Sequence, residues 1–171
     1  MTPGGRGRGP GRGLAVVLAA LAAAGVGCAF EDQKQLQVAA RGEQGNFATY
    51  VQPVLATSCA SLDCHGMAGR PLRLYAKHGL RMDAVLRGQE ASEAELSANI
   101  ASIAALDPDA SSLEDNLLLL KPLAVKAGGM HHVGGDLWAN QADPAYRCLH
   151  AWLRAGASDA IGQAVCKEAA P

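Results

Sequence analysis

Aromatic residues make up only 4% of this chain, so its hydrophobic core has to be assembled almost entirely from Ala, Leu and Val. Such a core is thin for the length, and a staple or a filler is expected to complete it. Cysteine is the first place to look. Cys59, Cys64, Cys148 and Cys166 follow a fifth cysteine, Cys28, near the start. In an exported chain an even set of four reads as a disulfide framework, and three connectivities are possible with nothing in the sequence to choose among them.

Export is what the first residues indicate. Met1 to Gly13 contains Arg6, Arg8 and Arg12 and no acidic residue, and Leu14 to Val26 is an unbroken series of Leu, Ala, Val and Gly. A basic segment followed by an apolar one too short to span a bilayer has the composition of a secretory signal, here residues 1–27. Gly25-Val26-Gly27 then leads directly into Cys28. This resembles the lipobox of bacterial lipoproteins, with Gly25 standing where that family usually has Leu. The resemblance implies lipidation of Cys28 and a membrane-anchored protein of the periplasm or cell surface, with Ala29 favouring the outer membrane. Ordinary signal-peptidase cleavage near the same place is the alternative. Loss of the leader removes three arginines, and the acidic remainder, lacking a basic cluster, has no electrostatic reason to bind nucleic acid.

Residues 28–45 are polar and mixed and read as a tether, residues 46–166 as one domain, and 167–171 as a tail. Phe47, Tyr50 or Val51, Val54 and Leu55 recur at helical spacing, with Asn46 as cap and Pro53 expected to bend or divide the helix. Residues 66–82 hold Gly, Pro and scattered bases and read as loop, with a short extended piece near Leu72 to Tyr75. Ser92-x-x-Glu95 is a capping box for a helix that Asp107-Pro108 would stop. Ser111-x-x-Glu114 announces another, continuing through Leu117 to Leu120 and largely buried because it is apolar on every side. Asp143-Pro144 starts the last long helix, whose apolar face is Tyr146, Leu149, Trp152 and Leu153 and which Gly156 ends. Cys148 lies on that helix and Cys166 in the tail beyond Gly162, so a disulfide between them would fold the tail back onto the helix. A redox role suits that spacing less well.

The segment Cys59-Ala60-Ser61-Leu62-Asp63-Cys64-His65-Gly66 follows the first helix and sets a histidine beside the second of two thiols. It resembles the haem-attachment motif of c-type cytochromes, Cys-x-x-Cys-His, with four residues between the cysteines in place of two. In that motif the thiols form thioethers with the haem vinyl groups, and the adjacent histidine reaches the iron. Further along, a leucine-rich helix, Lys121-Pro122, the loop Gly128 to Gly135 and Tyr146-x-x-Leu149-x-x-Trp152-Leu153-x-x-Gly156-Ala157 follow in order. Over about residues 46–157 this layout is similar to cytochrome c-like domains of exported planctomycete and myxobacterial proteins.

The resemblance implies a mostly α, class I cytochrome c-like small helical domain with one covalent haem c. Cys59 and Cys64 would carry the thioethers and His65 would be the proximal iron ligand. The helix before the cysteines would cross the C-terminal helix, and the porphyrin would fill the core that aromatic residues do not. In the similar domains a His followed closely by paired glycines supplies the second axial ligand, which maps onto His132-Val133-Gly134-Gly135. Met130 is the runner-up, as Met is the usual sixth ligand of class I cytochromes, and His131 would face away from His132 in an extended loop.

The implied function is single-electron transfer to and from redox partner proteins, not catalysis, and no Ser/His/Asp set, phosphate loop or carboxylate pair stands out. Two alternatives remain. Cys59 and Cys64 could pair as a disulfide in a cofactor-free surface lipoprotein that binds a partner, or join histidines in a zinc site. His78 and His150 read as surface residues, Met82 as core, and Trp138 and Trp152 as packing.

Overall fold

A proline inside a helical run removes one hydrogen-bond donor and crowds the carbonyl four residues back. In the computed structural model, which describes Met1 and residues 44–170, the first helical segment absorbs Pro53 without a break. α1 (Gln44–Asn46) passes into a π-helical turn (Phe47–Val51) and on into α2 (Gln52–Ser58). Gln52 N–H donates to Phe47 O, five residues back. The turn ahead of the proline is thus widened by one residue, which makes room for the ring. Asn46 lies within this segment in right-handed helical conformation and does not start it. Phe47, Val51, Val54 and Leu55 are buried and Tyr50 is half-buried, so Val51 takes the inward position. The leader, Cys28 and the tether as far as residue 43 lie outside the described residues.

Leu72, Leu74 and Ala76 are buried in alternation, as an extended segment requires. Its backbone pairs with side chains of a helix. Tyr75 N donates to Asn99 Oδ1 at 2.7 Å, and Tyr75 O accepts from Asn99 Nδ2 and Gln52 Nε2, each at 2.9 Å. Asn99, fully buried, also donates to Gln52 Oε1 at 2.9 Å. This closed network satisfies buried polar groups and ties α2, the extended segment and α3 (Glu93–Ala104) together.

α3 opens with the expected capping box. Ser92 Oγ accepts from Glu95 N at 3.3 Å, and Glu95 Oε2 accepts from Ser92 N at 2.9 Å. The same carboxylate has a second role that the local pattern does not reveal. Arg81 grips it through Nε to Oε1 at 2.9 Å and Nη2 to Oε2 at 2.7 Å, with both side chains almost wholly buried. Met82 N adds a bond at 2.9 Å, and the Arg81 guanidinium also donates to the carbonyls of Leu86, Gln89 and Glu90. An irregular segment of the chain is in this way pinned to the start of α3.

The helix expected from Ser111 does not form there. Ser111 and Ser112 Oγ donate to Asp115 Oδ2 at 2.8 and 2.9 Å, a local arrangement that competes with helix. α4 is the single turn Leu117–Leu120, capped by Asn116 Oδ1, which accepts from Leu118 N at 3.0 Å. Leu118 and Leu119 are buried, whereas Leu117 and Leu120 are only partly covered.

α5 (Pro144–Ala155) starts and stops where predicted, with Asp143 Oδ1 accepting from Ala145 N and Gly156 in a positive-φ conformation (φ 80°). The tail predicted beyond Gly162 is instead a helix, α6 (Ala160–Ala169), capped by Asp159, so ordered structure extends past residue 166. Gly162 obscures it in the sequence and explains its packing, since a Cβ there would lie 3.3 Å from Ala151 Cβ. The Cys148–Cys166 disulfide joins α5 to α6. Phe47 meets Trp152 with ring centroids 5.2 Å apart, bringing the first helical segment against α5. Among the described residues the domain is mostly helical, with no strand beyond isolated bridges at Tyr75–Leu80 and Leu123–Trp138. Replacing Cys148 and Cys166 together by Ala should lower stability by about 3 kcal/mol, read as a shift of the urea midpoint with the slope unchanged.

Candidate functional site

The first part of the site is the curl after α2. His65 N donates to Cys59 O at 2.9 Å, while Cys64 N and Gly66 N both donate to Ser61 O, at 3.0 and 2.9 Å. Ser61, Leu62 and Asp63 stand in solvent, so the longer spacing between the cysteines is taken up in an exposed turn. Gly66 closes the curl, because a Cβ there would fall 2.1 Å from Ala60 O. Cys59 is buried and Cys64 half-buried, and the two are not bonded to each other. Burial, and next the neighbouring Cys64, push the Cys59 thiol up to about 12, so it is held as a neutral S–H.

His65 is fixed from three directions. Besides the Cys59 contact, its carbonyl accepts from Leu74 N at 2.8 Å and its Nδ1 lies 3.0 Å from Leu72 O. A carbonyl can only accept, so Nδ1 carries the proton and Nε2 keeps a free lone pair. Burial lowers the His65 pKa; the Leu72 carbonyl opposes that shift, and His132 and Arg70 add to it. The ring is a neutral imidazole at physiological pH.

The second part comes from the glycine-rich loop. Gly129 lies so close to the chain just after α4 that a Cβ would sit 1.8 Å from Leu123 O, and Met130 N donates to Leu120 O at 2.9 Å. The half-buried His132 follows, with Nδ1 3.2 Å from Gly135 O. The same logic assigns it the same tautomer, with Nε2 bare. Gly134 lies beneath its ring, where a Cβ would come within 3.0 Å of His132 Cε1.

The two rings meet. His65 and His132 have centroids 6.0 Å apart and planes only 6° from parallel. Parallel rings at this separation suit either an offset stack or two ligands on opposite sides of one metal ion, whose centroids would be about 6 Å apart given metal–nitrogen bonds of about 2 Å. They line a cleft of about 470 Å³, within the range of cofactor pockets. Cys59 and Cys64 lie in its wall beside the apolar Leu72, Leu106, Leu117, Leu118 and Leu137, and its cationic and polar members include Arg70, Lys121 and His131. The partial exposure of Leu117 and Leu137 is explained by this cleft, a function that their apolar pattern alone does not announce.

Other singled-out residues lie elsewhere. Met130 is exposed and does not line the cleft, and Met82 is exposed as well, contrary to its predicted place in the core. His78 is exposed, and His150 stacks on Tyr146 with centroids 6.0 Å apart. Trp138 and Trp152 are buried packing residues. Among the described residues no three His, Cys, Asp or Glu side chains converge as a bare metal ion would require. No protein-family model, curated protein or solved structure matches the chain.

Proposed function

We propose that this chain is an exported, lipid-anchored, mono-haem c-type electron-transfer protein. The observation that carries this is the pair of near-parallel imidazoles of His65 and His132, each with Nδ1 committed to a backbone carbonyl, lining one cleft with both free cysteines. Two nitrogen donors are too few to hold a bare ion, but they are the number a macrocycle leaves to the protein once it supplies the other four. An offset histidine stack would not by itself account for an apolar cleft flanked by two unpaired thiols. The contact of the first helical segment with α5 also suits a class I cytochrome c-like arrangement.

Haem supplies one-electron exchange at its iron. Cys59 and Cys64 would attach it through thioethers, and His65 and His132 would bind its iron. Arg70 and Lys121, the two cations of the cleft, would neutralise its carboxylates. Two imidazoles would hold the potential below that of a His/Met pair.

The test is protein made with an intact cytochrome maturation system and extracted with acid acetone. The Soret band should stay with the polypeptide, whereas in the Cys59→Ser/Cys64→Ser variant any colour should pass into the organic phase. A colourless wild-type protein with Cys59 and Cys64 oxidised to a disulfide would establish the cofactor-free alternative.

A further inference from the structure

We infer that His132 is a displaceable ligand and that its departure opens a site for a small neutral diatomic molecule, an inference that rests on the haem reading above. The two histidines are held very unequally. His65 is bound through backbone N–H, backbone C=O and Nδ1, to three separate residues. The His132 ring has one bond, at 3.2 Å, and its partner Gly135 belongs to the same turn, closed by Gly135 N donating to His132 O at 2.9 Å. Moving that turn as a unit breaks neither contact.

The surrounding loop is built to allow such a movement. Its two ends are fixed to the same short region: Met130 N donates to Leu120 O at 2.9 Å, and Leu137 N and Trp138 N donate to Pro122 O at 2.8 and 3.0 Å. Between those anchors the chain from His131 to Asp136 is exposed except for half-buried His132, and Val133 at its tip is 89% exposed. The tie from this span back to the body is a bond from Lys121 Nζ to His131 O at 3.2 Å, on the solvent side. Gly134 and Gly135 add freedom, the latter at φ 82°. The segment can therefore swing outward about Met130 and Leu137, carrying His131 to Gly134 out of the lining, while the walls formed by Leu72, Leu106, Leu117 and Leu118 stay in place.

The space left behind favours one ligand class. Leu106, Leu117, Leu118 and Leu137 line the cleft; with Arg70 and Lys121 paired to the haem carboxylates as above, this apolar wall favours an uncharged ligand over an anion, whose desolvation it would not repay. In the exchange, one coordinate bond from His132 Nε2 is given up and one from the incoming molecule takes its place, with no change of oxidation state and no proton moved. Because the open form is the minor one, apparent affinity is reduced by its fractional population.

Carbon monoxide is the probe, added to dithionite-reduced protein with its haem attached, followed by stopped-flow absorbance at the Soret band. The expected result is a Soret shift whose observed rate levels off at high carbon monoxide, because opening of the 131–136 segment becomes limiting. In His132→Ala the rate should stay proportional to carbon monoxide, and the affinity should rise about tenfold or more. A low-spin wild-type protein that shows no shift, while His132→Ala does, overturns the inference and leaves the haem reading standing. Equal second-order rates in both proteins would also overturn it, since His132 would then gate nothing. Protein without attached haem overturns both.

Discussion

Glu95→Gln should lower the unfolding free energy by about 3–5 kcal/mol, a large share of the stability of a small domain. The substitution keeps the size of the side chain and removes only its charge, leaving Arg81 buried against a neutral partner. Within the pair each carboxylate oxygen accepts one guanidinium bond and one backbone bond, from Met82 N and Ser92 N, so every lone-pair direction has a use. The Arg81 bonds above all, opposed by burial and aided by the two backbone donors, lower the Glu95 pKa from 4.5 to about 2. A depressed carboxylate contributes stability that is complete above its unfolded value and is lost as pH falls through the folded one. The wild-type protein should therefore lose stability between about pH 4.5 and pH 2, and Glu95→Gln should lose less over that window. Replacing Arg81 by Met and Glu95 by Leu together should cost less than Glu95→Gln alone, because no charge is stranded. A Glu95→Gln variant with a wild-type urea midpoint and an unchanged acid limb would show that the pair is energetically idle.

His65→Ala should remove nearly all covalently coloured protein, whereas His132→Ala should keep attached haem and turn high-spin. The difference follows from where each residue sits. His65 is part of the curl that presents Cys59 and Cys64, through its bond to Cys59 O, so its loss damages both ligation and presentation of the thiols. His132 stands on a separate loop and touches neither cysteine through the backbone. Pyridine haemochrome absorbance per mole of purified protein checks the first outcome, and the ferric visible spectrum the second. Equal haem content in His65→Ala and wild type would contradict the assignment of the proximal side.

What could be read from the sequence was carried by local chemistry. The Ser92 box and the Asp143-Pro144 start depend on residues within one turn of each other, and both stand where the pattern puts them. The signal at Ser111 failed because Asp115, one residue beyond the expected Glu114, captured both hydroxyls. α6 was missed because Gly162 reads as a breaker unless it is known to press on Ala151. The Arg81–Glu95 pair was hidden for a different reason: Glu95 already had a complete local explanation, and its partner comes from an irregular segment with no periodicity to place it. The site divides in the same way. The thiols and His65 are adjacent in the chain, and the glycines around His132 mark a loop that can approach closely, but the 6.0 Å spacing of the rings and the carbonyls of Leu72 and Gly135 that set their tautomers arise only in three dimensions.

Electron paramagnetic resonance of the oxidised, haem-loaded protein reports on whether the two histidines share one iron. Two imidazole planes only 6° apart would push on the same iron d orbital and split it well away from its partner. The expected result is a rhombic low-spin signal from a single species. A high-spin signal would contradict the ligation of one iron by His65 and His132, and the extreme anisotropy of crossed imidazole planes would contradict the parallel setting of their rings.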